Sequence, residues 1–277
     1  VMARKHVAII GGGAAGFFTA INLAEQCSQV TITIYEASQK LLAKVLISGG
    51  GRCNVTNTIS KPYKLVKNYP RGNKWLKPAF SKFTTQDTQQ WFTERGVTLK
   101  TEEDGRVFPV SNSSQTIYDL FLSLCSKHDI RIEKQHRLQD LNFQENQWLL
   151  AFNSTKTTAD YVVLATGSNK KVYSLLQQKG LTIVPDVPSL FTFQVKPHKL
   201  LHLSGISLPK ASVVLQQQKD TISLGPLLIT HKGYSGPAVL KFSAWQARTL
   251  NGLNYTYEAA INWNTDWIAN QLEEAFI

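Results

Sequence analysis

The sequence predicts an α/β protein in which a β-rich second domain is inserted into a Rossmann-like, dinucleotide-binding domain. For the first domain, Gly11, Gly13 and Gly16 lie between an apolar strand and a helix, and the acidic residue Glu36 ends a second strand. For the second domain, the chain changes to β-rich segments with frequent turns after two prolines. We expect boundaries at 1–187 and 188–277.

The glycine motif stands in the segment HVAIIGGGAAGFFTAINLAE. Gly11 permits the tight turn from the expected strand 5–10 into the expected helix 14–26. Gly13 lets the backbone approach a pyrophosphate, and Gly16 lets the helix pack closely on the strand. The first amides of the helix then face the phosphates, which predicts a dinucleotide site at this turn.

Glu36 decides between types of dinucleotide. A carboxylate at the end of the second strand accepts hydrogen bonds from a ribose 2′-hydroxyl, but it repels a 2′-phosphate. The sequence therefore predicts an adenosine diphosphate group without that phosphate, as in FAD or NAD.

Composition is that of an ordinary globular chain, with 277 residues of which 43% are hydrophobic. No apolar stretch reaches the length of a membrane span, and VMARKHVAII is interpreted as the first strand rather than a signal peptide. The cysteines, Cys27, Cys53 and Cys125, are widely separated and form no CxxC pair. This argues against a disulfide scaffold and a dithiol flavoprotein, and we expect a cytoplasmic protein without a membrane partner.

The formal net charge is +11, which raises the question of a nucleic-acid partner. The lysines and arginines are interpreted as scattered, with no basic run interleaved with aromatic residues. We therefore expect the charge to lie on a solvated surface and do not expect a nucleic-acid partner.

Later segments alternate between helical and extended patterns. Helices are expected at 74–83, 85–95 and 115–128, with another beginning near Asp266. Strands are expected at 97–100, near 131, and at 138–143 and 148–152. A further strand, 161–165, is expected to be buried and to end in Thr166 and Gly167, where the backbone passes close to a ligand.

The segment SGGGRCNVTN, within a long expected loop at 37–57, is a second motif. Its amides can form an anion-binding nest, and Arg52 can hold a carboxylate or phosphate through two parallel hydrogen bonds. Asn54 and Asn57 can fix either the loop or a flavin edge. A purely structural loop is the alternative. Cys53 beside Arg52 is either a reactive thiol or a small buried one.

A combination of motifs runs through the chain: GGGAAG, Glu36, AKVLISGGGRCNVTN, DGRVFPVS, VVLATG, PSL and GPLLITHKGYSGPAVL. This combination resembles the BaiN/YhiN-like flavoprotein family, also called aminoacetone oxidase family FAD-binding enzymes. The resemblance covers nearly the whole chain and implies FAD as the cofactor, bound by an α/β domain. Family members continue beyond the point where this sequence ends, at Ile277. We therefore expect the chain to lack the wall that holds the isoalloxazine.

The resemblance also implies which residues contact each part of FAD. The pyrophosphate would contact Gly11, Gly13, Ala14, Ala15 and Gly16, and the adenosine ribose would contact Glu36. The ribityl and isoalloxazine side would contact Lys44, Gly49, Gly50, Gly51, Arg52, Cys53 and Asn54. Thr166 and Gly167 would close over the adenosine half.

Two residues are candidates for the chemistry. Arg52 is expected to orient substrate, and His231, in the glycine-rich segment THKGYSG, is expected to handle a proton because imidazole titrates near neutral pH. A structural histidine is the alternative for His231. His198 and His202 are four residues apart, but lysine follows His198 where a zinc protease has glutamate, so no metal site is expected.

The sequence thus predicts an FAD-dependent oxidoreductase that transfers a hydride or electrons to an unassigned small-molecule substrate, with NAD(P)H as a candidate electron donor. Two alternatives remain open. One is an NAD-dependent dehydrogenase, and the other is a non-catalytic flavin-binding, nucleotide-binding or RNA-associated protein.

Overall fold

The computed structural model of the chain describes residues 4–197, 199–216, 218–263 and 265. The chain divides into two compact units, residues 1–184 and 185–277, whereas the boundary expected from composition follows residue 187. His198 and the helix expected near Asp266 lie outside the described residues.

The first unit contains a parallel sheet and two smaller antiparallel sheets. Its strands are β1 (Lys5–Ile10), β2 (Val30–Tyr35), β3 (Thr56–Asn57), β4 (Leu99–Thr101), β5 (Arg106–Pro109), β6 (Arg131–Glu133), β7 (Leu138–Gln144), β8 (Gln147–Phe152), β9 (Lys156–Ala159) and β10 (Tyr161–Leu164). Its helices are α1 (Ala14–Gln26), α2 (Ala43–Ile47), α3 (Pro62–Leu65), α4 (Asn73–Phe80), α5 (Thr85–Thr93), α6 (Gln115–Lys127) and α7 (Lys170–Gln178).

The parallel sheet has the strand order β10-β1-β2-β6. Side chains alternate along β1: Val7 and Ile9 belong to the hydrophobic cluster that includes α1 and α6, while Ala8 and Ile10 belong to the cluster that includes β7 and β8. Because both faces of this central strand are covered, the last four residues of β1 are all apolar and buried. The predicted Rossmann-like fold is confirmed.

In its described residues, the second unit is a five-stranded antiparallel sheet with two helices. It consists of β11 (Phe193–Gln194), β12 (Ser207–Leu215), β13 (Gln218–Thr230), β14 (Gly233–Ser235), α8 (Pro237–Trp245), α9 (Ala247–Gly252) and β15 (Ala259–Asn262). The strand order is β11-β14-β13-β12-β15. Val213 and Leu227 from the sheet pack with Phe242 and Leu250 from the helices. The β-rich character is confirmed, although α8 and α9 lie where only strands and turns were expected.

Several other expectations differ from the structure. The expected loop 37–57 contains α2 and a 3₁₀ turn at Ser48–Gly51, and neither α7 nor β9 was expected from the sequence. The description of β10 as buried was wrong. Tyr161 and Leu164 are 58% and 37% exposed, because β10 forms an edge of the parallel sheet. Among the described residues, no helix is both long and apolar enough to cross a membrane.

Candidate functional site

A cavity of about 1030 Å³ lies beside the glycine turn that follows β1, within the first unit. In an open α/β sheet, ligands bind outside the carboxyl ends of the strands where strand order reverses. Here β2 and β10 lie on opposite sides of β1, so the reversal falls at the glycine turn. Ten of the residues expected at the cofactor line this cavity: Gly11, Gly13, Ala14, Ala15, Glu36, Lys44, Cys53, Asn54, Thr166 and Gly167.

Gly11 and Gly16 hold backbone segments in close contact. Gly11 has a φ of +118°, and a Cβ atom placed on it would lie 2.4 Å from the carbonyl oxygen of Ala165. A Cβ atom on Gly16 would lie 2.0 Å from the carbonyl oxygen of Gly11. Both distances are far shorter than real contacts, so strand, turn and helix approach one another this closely only with glycine at both positions.

Gly13 differs from those two glycines because it faces open space. A Cβ atom placed on it meets no atom of the described part of the chain within 4 Å, and its extended backbone can be adopted by any residue. Among the described residues no side chain caps α1, so the amides of Ala14 and Ala15, both exposed, have no capping partner there. The positive end of a 13-residue helix therefore opens on the cavity, which fits the pyrophosphate of a dinucleotide.

Glu36 connects the glycine turn to the end of β2. Its Oε2 accepts a hydrogen bond from the amide of Gly12 at 2.8 Å, and its Oε1 accepts one from the amide of Ser38 at 2.8 Å. A carboxylate has about four lone-pair positions, so both oxygens retain acceptor capacity for ribose hydroxyls. Glu36 therefore orders the turn and can also contact the ribose.

We expect Glu36→Lys to weaken FAD binding by roughly tenfold or more, because two charge-assisted hydrogen bonds and the ribose acceptor are lost together. Glu36→Gln keeps one acceptor oxygen and should retain tighter binding than the lysine variant. Titration of apoprotein with FAD, followed by flavin fluorescence, measures both. Equal FAD affinity of the parent and the lysine variant would show that Glu36 does not contribute to the binding of FAD.

The SGGGRCN segment is explained largely by its backbone. Gly49, Gly50 and Gly51 have φ values of 56°, 69° and 83°, a succession of left-handed residues for which glycine is favoured. They and Arg52 are not among the described residues that line the cavity. In the orientation that satisfies its amide group, Asn54 donates to the carbonyl oxygens of Thr56 and Val107 at 2.8 and 3.2 Å. The segment thus brings Cys53 and Asn54 to the cavity, while contact of its glycines with a ligand stays a prediction.

Arg52 has more partners than its glycine neighbours suggest. Its Nη1 donates to Oε1 of Glu102, and its guanidinium carbon lies 4.0 Å from the centre of the Phe108 ring. Glu102 thus already occupies part of the guanidinium that the sequence predicts to hold a bound carboxylate or phosphate. A role for Arg52 towards substrate or cofactor stays a prediction, alongside this structural one.

We expect Arg52→Lys to lower the free energy of unfolding by about 1 kcal/mol, because lysine keeps the charge but loses the planar stacking on Phe108. Chemical denaturation of the apoprotein measures the free energy of unfolding. Lys100→Arg, at a half-buried position of β4, is the control, because it also exchanges lysine and arginine. The FAD titration of the same variant separates the two roles. Unchanged stability with a tenfold loss of FAD affinity would mean that Arg52 acts on the ligand instead.

Cys53 is buried, and burial raises the pKa of its thiol, an effect partly offset by a hydrogen bond with Ser48. Burial likewise raises the pKa of Cys125 to about 12. Since the thiolate is the nucleophile, both residues fit the interpretation of small, unreactive thiols.

We expect iodoacetamide at pH 8 to alkylate the half-buried Cys27 well before Cys53 and Cys125 in the folded protein. Because both pKa values are raised, the thiols of Cys53 and Cys125 stay protonated at this pH. Their labelling should therefore increase as the pH rises and in denaturant. Peptide mass spectrometry over time resolves the three sites. Early labelling of Cys53 would instead indicate an activated thiol at the cavity.

His231 lies in the turn between β13 and β14 of the second unit and is exposed. The neighbouring Gly233 carries the close backbone contact of this turn, since a Cβ atom on it would lie 2.2 Å from the carbonyl oxygen of Phe193. The catalytic role of His231 stays a prediction.

Several residues that line the cavity were not expected from the sequence. Gly12 anchors Glu36 through its amide, and His136 and Arg137 follow β6, the strand beside β2. Lys170 and Lys171, at the start of α7, line it too. The rule that parallel strands end at one edge would have located His136 and Arg137 if the short strand β6 had been assigned to this sheet.

Comparison with known proteins gives one family and several relatives. The model of the HI0933-like protein Rossmann domain matches residues 5–257. Two proteins named ribosomal RNA dihydrouridine synthase are similar: that of Haemophilus influenzae is 32% identical, over 86% of this chain and 61% of its own length, and that of Escherichia coli is 30% identical, over 91% and 64%. The 3-dehydro-bile acid delta(4,6)-reductase of Clostridium scindens is 26% identical, over 89% and 61%. The chain therefore spans about three fifths of the length of these relatives.

Proposed function

Because the chain belongs to the HI0933-like family, we propose that it acts as an FAD-dependent reductase of carbon–carbon double bonds conjugated to a carbonyl group. The family and the glycine turn support FAD as the cofactor. The observation that carries the cofactor part of the proposal is the open cavity at Gly13 beside the start of α1, where no described side chain caps the helix.

The residues of this chain would bind and orient the cofactor. The amides at the start of α1 and the backbone at Gly13 would hold the pyrophosphate, and Glu36 would accept hydrogen bonds from the adenosine ribose. Lys44, Cys53, Asn54, Thr166 and Gly167 also line the cavity. Bound FAD supplies hydride and electron transfer. We assign substrate orientation to Arg52 and proton handling to His231 as part of the same proposal.

The substrate class follows from chemistry shared by the names of the relatives. Dihydrouridine forms when the 5,6 double bond of uridine, which is conjugated to the C4 carbonyl, gains a hydride and a proton. A 3-dehydro-bile acid with 4,6 unsaturation likewise carries double bonds conjugated to its 3-keto group. Each double bond that is reduced gains two electrons and two hydrogens, one as a hydride and one as a proton. The proposed substrate is therefore an electron-poor alkene, and experiment is to identify the molecule that carries it.

The test begins with the absorption spectrum of the purified protein, which separates bound flavin from NAD. The flavin is then reduced anaerobically by light, with EDTA as the electron donor, and mixed with either a uridine-containing RNA oligonucleotide or a steroid 4-en-3-one. We expect one of them to reoxidise the flavin and to gain two hydrogens by mass spectrometry. A saturated analogue of each serves as the control. Flavin that neither compound reoxidises would overturn the proposed reaction, while an absence of flavin would overturn the cofactor.

A further inference from the structure

We propose that residues 60–84 form a docking surface for single-stranded RNA beside the cavity. This excursion between β3 and α5 contains α3 and α4. It holds seven basic residues and no aspartate or glutamate, so it carries seven of the eleven units of net positive charge of the chain. The basic residues are Lys61, Lys64, Lys67, Arg71, Lys74, Lys77 and Lys82, and all seven are exposed. The charge is therefore concentrated here rather than scattered, contrary to the expectation from sequence.

Aromatic side chains lie between these cations. Trp75 is 87% exposed, Tyr63 is 52% exposed and Tyr69 is 39% exposed. Tryptophan is largely buried in most folded proteins, so this degree of exposure among cations needs an explanation. Nucleic-acid bases stack on aromatic rings while the backbone phosphates pair with lysine and arginine, and the combination is typical of surfaces that bind single strands.

The surface is held to the first unit at its base and in its interior. The hydroxyl of Thr85 donates to the carbonyl oxygen of Ile59 at 3.0 Å, closing the base of the excursion. Leu65 is buried, and the rings of Tyr69 and Phe80 lie 5.4 Å apart. The cations and Trp75 are thus presented on a folded framework rather than on an extended chain.

The end of the excursion reaches the cavity. Phe83 lines the cavity, and its ring lies 5.6 Å from that of Phe18 in α1. A strand bound along the excursion can therefore present a base near the cavity mouth. The choice of RNA over DNA rests on the proposed function, in which a uridine is one carrier of the reducible bond.

An anionic membrane surface is a less suitable partner. A membrane-surface helix segregates a continuous apolar face from a charged one. In α4 the exposed Trp75 lies between Lys74 and Lys77, while Leu76 and Phe80 are half-buried, and Pro78 lies inside the helix. With eight residues, α4 also offers little apolar area for insertion.

Fluorescence anisotropy with a labelled single-stranded RNA tests the surface without any catalytic turnover. The variant Lys64→Glu/Lys67→Glu/Lys74→Glu reverses three charges of the excursion. Its matched control, Lys127→Glu/Lys134→Glu/Lys156→Glu, reverses three exposed charges elsewhere in the first unit. We expect the first variant to lose at least about tenfold in affinity and roughly two units of the slope of log affinity against log salt, and the control to stay within about twofold.

Trp75→Ala separates stacking from charge and leaves the fold intact, because the side chain is 87% exposed. We expect affinity to fall at least about fivefold with an unchanged salt slope. Three results would each overturn the proposal. They are equal losses of RNA affinity in both triple variants, an unaltered RNA affinity of Trp75→Ala, and tighter binding to phosphatidylserine vesicles than to RNA. Because this is a binding measurement, RNA that binds but does not reoxidise flavin counts against the proposed reaction and not against the surface.

Discussion

Replacing Gly16 by alanine is expected to lower the melting temperature of the apoprotein by roughly 10 °C, a loss of about 3 kcal/mol. Alanine is the better helix former by about 1 kcal/mol, so propensity alone predicts the opposite sign. The added Cβ, however, would lie 2.0 Å from the carbonyl oxygen of Gly11 and 3.2 Å from its carbonyl carbon. Both are backbone atoms, so α1 must move away from β1 as a unit.

Thermal unfolding followed by circular dichroism measures this effect. Ala15→Ser, at the exposed neighbouring position of α1, is the matched control and should shift the melting temperature by only about 2 °C. A Gly16→Ala protein as stable as the parent would show that α1 does not pack on the turn as closely as these distances require.

The glycine turn was predictable because local chemistry determines it. The bounds of β1 and α1 agree with the sequence prediction, and Glu36 follows β2 directly. Strand pattern, glycine spacing and the acidic residue all act within about thirty residues of chain, where periodicity is the strongest signal.

The SGGGRCN segment was harder to interpret because its partners are distant in sequence. Glu102 and Phe108, which contact Arg52, lie about fifty residues further along the chain. A glycine run is also equally consistent with a ligand nest and with a left-handed backbone, and only the folded backbone shows φ values of 56°, 69° and 83°. The position of β10 at a sheet edge was missed for a similar reason, since an apolar strand does not reveal how many neighbours it has.

The basic excursion illustrates a different limit. Its seven cations are spaced three to five residues apart, so no short window contains a run, and the aromatic residues look like ordinary core positions. Exposure is what distinguishes Trp75 from the buried Trp91, and the sequence does not supply it.

Gly13→Ala is expected to have the largest effect on cofactor binding with almost none on the fold. The backbone of Gly13 is extended, with φ −97° and ψ −174°, and a Cβ atom at this position meets no atom of the described residues within 4 Å. The apoprotein should therefore lose only a few tenths of a kcal/mol, from a slightly poorer helix N-cap. In the complex, the methyl group would occupy the space through which the backbone approaches the pyrophosphate, and we expect FAD affinity to fall by about a hundredfold.

The measurement that tests the site most directly is an FAD titration of three apoproteins, the parent, Gly13→Ala and Gly252→Ala, with the melting temperature of each recorded alongside. Gly252 is the matched control, because a Cβ atom there also meets nothing within 4 Å but the residue lies in α9 of the second unit. We expect similar melting temperatures for all three and a loss of FAD affinity in Gly13→Ala alone. Undiminished FAD binding by a folded Gly13→Ala protein would contradict the assignment of the site, because the pyrophosphate would then not lie at this turn.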